Sequence, residues 1–112
     1  MPTHSFRPAT PAEIANDLTQ NPADFWCGIP LNLDPASVAN GARSLWGEPG
    51  GSALEGEIMW RLRCGDTPVY LSVNGLGPPE VLFSSAWLPE EREAERIVEQ
   101  IRRVLQRSRR TQ

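Results

Sequence analysis

Residues 57–73 read Glu57-Ile58-Met59-Trp60-Arg61-Leu62-Arg63-Cys64, then Gly65-Asp66-Thr67-Pro68, then Val69-Tyr70-Leu71-Ser72-Val73, and this stretch decides the fold class. Ile58, Trp60, Leu62 and Cys64 alternate with Glu57, Met59, Arg61 and Arg63, the period of a strand with one buried face. Gly65-Asp66-Thr67-Pro68 suits a turn, because Gly tolerates unusual dihedrals and Pro presets φ. Val69, Leu71 and Val73 then alternate inward again. A four-residue connection pairs Cys64 with Val69, Leu62 with Leu71 and Trp60 with Val73, all on one face. On the other face it sets Arg63 against Tyr70, Arg61 against Ser72 and Met59 against Asn74.

Downstream, Asn74-Gly75-Leu76-Gly77-Pro78-Pro79 breaks the chain, and Val81-Leu82-Phe83 leads a third strand toward Trp87. Pro89 opens a helix, since its missing N–H would have no partner in a first turn. Ala94, Ile97, Val98, Ile101, Val104 and Leu105 make one apolar stripe along it. Glu90, Glu91, Glu93 and Glu95 crowd its start; Arg102, Arg103, Arg107, Arg109 and Arg110 crowd its end, in line with the helix macrodipole.

Upstream, Thr10-Pro11-Ala12-Glu13, Asn21-Pro22-Ala23-Asp24 and Asp34-Pro35-Ala36-Ser37 each place a capping side chain before Pro-Ala. Thr10 and Glu13 have the spacing of a capping box. The first helix buries Ile14 and Leu18, and the second is a single turn carrying Phe25 and Trp26. The third places Val38, Ala42, Leu45 and Trp46 on one side and stops at Gly47. The expected fold is therefore α+β: short N-terminal helices, a three-stranded antiparallel meander, and a long C-terminal amphipathic helix on one sheet face. The expected organisation is a flexible segment over 1–9, one domain over 10–108, and a flexible tail over 109–112.

The chain has 112 residues, enough to bury a core without staples, and a net charge of −3. No apolar run is long enough to span a bilayer, and Met1-Pro2-Thr3-His4 is not the start of a signal peptide. Two cysteines without such a signal point to the cytoplasm. All eleven basic residues are arginines, a bias that codon usage in a GC-rich bacterium or its phage explains.

No arrangement of residues marks an active site. His4, the single histidine, lies where neither helix nor strand positions it, whereas acid–base catalysis needs a fixed imidazole. Cys27 and Cys64 lack redox or zinc spacing, and Cys64 falls on the inward strand face. Gly75-Leu76-Gly77 is no phosphate loop, because Pro78-Pro79 removes the N–H donors such a loop needs. Glu55, Glu57, Asp66 and Glu80 sit at loops and strand ends, where solvated acids belong. The reading assigns no catalytic residue, no cofactor and no metal.

The outward face of the hairpin is instead the expected working surface. Met59, Arg61, Arg63 and Tyr70 share it, and Arg, Tyr and Met are enriched at protein interfaces. Trp26 and Trp87, at element ends, are further contact anchors, while Trp46 and Trp60 are core by phase. The order of helix, Leu45-Trp46-Gly47-Glu48-Pro49 loop, Trp-bearing strand, hairpin and helix is similar to small bacterial immunity or phage inhibitor proteins. It covers about half the chain, and such elements recur in many α+β domains. The leading expectation is a non-catalytic inhibitor, immunity, anti-defence or adaptor module that occludes a protein partner, with basic surfaces as suitable targets. The alternative is a homo-oligomeric structural component of a phage particle or secretion assembly, pairing through the same face or a free sheet edge. A histidine-independent enzyme ranks third. Nucleic acid ranks behind protein, given the net negative charge and the absence of aromatics among the helix arginines.

Overall fold

A computed structural model describes residues 6–20, 25–51, 57–74, 77–84 and 89–110. The order of elements is β1 (Phe6–Pro8), α1 (Pro11–Gln20), β2 (Phe25–Pro30), α2 (Pro35–Trp46), β3 (Gly50–Gly51), β4 (Glu57–Cys64), β5 (Thr67–Asn74), β6 (Glu80–Ser84) and α3 (Glu91–Arg110). The protein is α+β, and its sheet is wholly antiparallel, in the order β1-β4-β5-β6-β2. The expected meander is its centre, β4-β5-β6. Three strands were not expected: β1 and β3 pair with successive parts of one edge of β4, and β2 adds to β6.

The central hairpin keeps the expected faces but not the expected register. Cys64 lies opposite Thr67, Leu62 opposite Val69 and Trp60 opposite Leu71. The connection is Gly65-Asp66 alone, with Gly65 at φ 63°, a conformation glycine adopts without Cβ strain. The slip is two residues, so every side chain stays on its predicted side.

On one side, Trp60, Leu62, Leu71, Val81 and Phe83 meet Val38 and Ala42 of α2 and Ile97, Ile101 and Leu105 of α3 in a single core. α2 starts as expected: Asp34 accepts from the Ser37 N–H at 3.1 Å, and Gly47 ends the helix at φ 85°. Leu45 of α2, expected inside, is 41% exposed. The Ala94 N–H donates to Glu90 O, so α3 begins at Glu91, and Pro89, expected at the first helical position, stands two residues before it. Its helical backbone continues to Arg110, into the segment expected to be a flexible tail.

α1 also starts as expected, at a closed capping box: the Glu13 N–H donates to Thr10 Oγ1 at 3.2 Å and the Thr10 N–H to Glu13 Oε1 at 2.9 Å. Asn21-Pro22-Ala23-Asp24 lies outside the described residues. Phe25 and Trp26, expected on a helical turn, belong to strand β2. Phe6–Pro8, expected to be flexible, is an edge strand.

Candidate functional site

The sheet face opposite the core collects most of the side chains singled out by sequence, and it is not open. Met59 is 2% exposed, Tyr70 4% and Arg63 7%; Arg61 is half-buried. The expectation of a bare docking face over Met59, Arg61, Arg63 and Tyr70 is thereby corrected. Trp26 lies in β2 opposite Phe83, with its side chain outside the described residues, as is all of Trp87.

The burial has an electrostatic basis. Burying a guanidinium is costly unless a carboxylate offsets the lost hydration. Glu13 of α1 supplies it, 3.4 Å from Arg63 Nε. Arg7 of β1, opposite Arg63 in the ladder, donates from Nη1 and Nη2 to both Glu13 oxygens at 2.8 Å. One carboxylate thus ties α1, β1 and β4 together. The Arg7 hydrogen bonds, followed by the Thr10 N–H, hold the Glu13 carboxyl well below the usual carboxylate range. At the far end of the same face the Ser72 hydroxyl donates to Glu57.

A cleft opens beside this face where β1 ends and β3 begins, along their shared edge of β4. Pro8, Trp46, Gly50, Met59, Trp60 and Arg61 are among its walls, and its volume is about 130 Å³. The Ala9 N–H donates to Arg61 O at 2.8 Å and fixes one lip. Trp60 Nε1–H donates to Gly47 O at 2.9 Å, which anchors the end of α2 as the other. A Cβ on Gly50 would stand 3.1 Å from Arg61 Nη1, so the guanidinium lies close over a residue without a side chain. Trp46 is half-buried and meets Phe6 edge-on, with ring centroids 6.4 Å apart. Of the sequence-selected residues, the cleft brings together Met59 and Arg61. The phase argument placed Trp46 in the core, and its half-buried side chain does pack against the core's edge; the Gly47-Glu48-Pro49-Gly50 break beside it was the available signal that this edge reaches the surface.

Cys64 is placed for packing, while His4 and the Cys27 side chain lie outside the described residues. Burial pushes the Cys64 thiol up in pKa, which keeps it protonated and a weak nucleophile. Among the described residues no group of three His, Cys, Asp or Glu side chains could hold a metal ion. Among them, too, no helix is long and apolar enough to cross a membrane. No protein-family model matches the chain, and neither the curated proteins nor the solved structures contain a match to it.

Proposed function

We propose that the chain is a non-catalytic binding module of inhibitor, immunity or adaptor type, which occludes a protein partner by seating one partner side chain in the cleft between β1 and β3. The observation that carries this reading is the cleft's size together with its lining. At about 130 Å³ it is well below the ~300–1,000 Å³ of small-molecule sites. Trp46 and Arg61, both half-buried on its walls, are of residue types over-represented in the desolvated centres of protein interfaces. Leu45, the residue before Trp46 on α2, is exposed and offers an attachment point one residue from the cleft wall. The net charge of −3 favours a basic partner through faster encounter.

The homo-oligomer reading draws less support. β2 forms one outer edge of the sheet, but its register shifts between Trp26 and Ile29 and it ends in Pro30; β1, at the other edge, is three residues long and also ends in proline. Bulges and prolines are features that keep strand edges from pairing with a second copy.

A photo-crosslinker at Leu45 in native cell extract tests the reading. A single basic protein should be trapped, and Arg61→Glu or Trp46→Ala in the same chain should abolish trapping while the unfolding transition stays cooperative. Arg63→Glu would be a poor variant, since it sets a buried acid against Glu13. Trapping that survives both cleft substitutions, or that is as strong from a crosslinker at Arg92 on α3, would refute the cleft as the docking point.

A further inference from the structure

α3 carries a second surface, turned away from the sheet and unrelated to the cleft. Arg92, Arg96, Arg103 and Arg107 are all exposed along it. They fall within about 60° of arc, because the eleven-residue steps from Arg92 to Arg103 and from Arg96 to Arg107 nearly complete three turns. The buried side of the helix is formed by Ala94, Ile97, Val98, Ile101 and Leu105, so the stripe has no apolar member. At the helical rise, the Arg92/Arg96 pair and the Arg103/Arg107 pair are centred about 16 Å apart. Glu99 lies between them, held by Arg102 and by Arg103 at 3.4 Å, while Glu95 lies beside the first pair and Glu93 is 3.4 Å from Arg96.

This charge is not what composition alone would place here. Residues 1–88 carry nine acids and four arginines, whereas residues 89–112 carry seven arginines and five glutamates. The macrodipole explains arginines in the last turns, but it opposes Arg92 and Arg96 in the first two. An acidic protein thus concentrates its positive charge on one helix, including where the helix itself disfavours it.

We propose that this stripe contacts the phosphate backbones of duplex DNA, with Arg92 and Arg96 on one strand and Arg103 and Arg107 on the other, across a major groove. The guanidinium fork matches phosphate oxygens. The spacing of the pairs suits backbones flanking a groove about 12 Å wide, with Glu99 over the gap. A protein partner needs apolar or aromatic anchors, which the stripe lacks. A second copy would bring a like-charged stripe, and single strands call for aromatic stacking that is absent. Such contacts are sequence-independent, and the acidic body keeps them in the weak range of about 10⁻⁴–10⁻⁶ M.

Anisotropy of a labelled duplex of about 20 bp, with the intact chain, tests this. Four phosphate contacts predict a fall in affinity of about 100-fold between about 50 and 200 mM salt. Arg92→Gln with Arg96→Gln, and Arg103→Gln with Arg107→Gln, should each halve the salt slope, and all four together should abolish binding. Gln preserves helix propensity, and circular dichroism checks the fold; should the fourfold variant not fold, the two double variants carry the test. Leu45→Glu, on α2 next to the cleft residue Trp46, should leave DNA binding unchanged, so the outcome is separate from that of the protein-binding reading. No saturable binding at low salt, full binding by the double variants, or tighter binding of poly-L-glutamate than of the duplex would overturn it.

Discussion

Glu13 reaches Arg63 from fifty residues away in sequence, and the 3.4 Å contact between them fastens α1 to the side of the sheet that the sequence had suggested was bare. Because Arg7 shares the same carboxylate, removing Glu13 disconnects three elements at once. Glu13→Gln should therefore lower the urea midpoint at neutral pH and loosen the Phe6–Pro8 strand in hydrogen exchange.

The pH dependence of that loss has a defined sign. The folded-state pKa of Glu13 is depressed, so its contribution is present above the unfolded value of about 4.3 and fades as pH falls toward the folded value. The difference in stability between the wild-type chain and Glu13→Gln should be constant from about pH 6 to 8 and should shrink steadily below pH 4.3. Urea titrations at several pH values measure it. A difference that grew on acidification would exclude the ion pair as the source.

How much of this could be read from the chain follows from where each signal resides. The meander and α3 announce themselves locally, through alternation in Glu57–Cys64 and the stripe from Ala94 to Leu105. The capping chemistry at Thr10 and Asp34 is equally local. β3 is two glycines and carries no side-chain pattern, while β1 is three residues ending in Pro8. β2 follows Asn21-Pro22-Ala23-Asp24, which imitates a helix start, and its register shift breaks the alternation that would mark a strand. These strands exist because β4 and β6 offer edges to pair with, which is a tertiary fact. The covered face was misread for the same reason: charged residues at alternate positions look solvated until a partner such as Glu13 is placed over them.

Gly28 sits inside that register shift, and its missing Cβ has a structural use. A Cβ there would meet the Glu80 carboxylate and stand 2.8 Å from Leu82 Cδ2. Glu80 can swing its flexible end aside, but Leu82 is branched and half-buried. Gly28→Ala should cost about 1–3 kcal/mol through overpacking. Adding Leu82→Ala should recover part of that loss, giving a non-additive double-mutant cycle in chemical denaturation. Strictly additive losses would show that the two residues do not collide.

Asp34 caps α2 by accepting from the Ser37 N–H and the Ser37 hydroxyl, at 3.1 and 3.3 Å. Asp34→Ala should destabilise the fold by about 1 kcal/mol, and Asp34→Ser by much less, because serine restores an acceptor for the N–H. Thermal unfolding compares the two. Equal losses would mean that the carboxylate acts through charge and not as a cap.

Trp60 links the core to the lip of the cleft, since its ring is 3% exposed while its Nε1–H donates to Gly47 O. Trp60→Phe removes the donor and part of the ring volume together. The lost hydrogen bond costs about 1 kcal/mol and the smaller ring leaves a cavity, so a total of about 2–3 kcal/mol is expected. Gly47 is exposed, so water can satisfy its carbonyl and keep the cost at the lower end. The end of α2 should then fray, with faster hydrogen exchange at the Gly47 N–H, which donates to Arg43 O. Partner trapping from Leu45 should weaken in the same variant even at temperatures where it remains folded, because Trp46 is no longer held at the rim. Unchanged exchange at Gly47 together with a full stability loss would place the whole effect in the core and none of it in the lip.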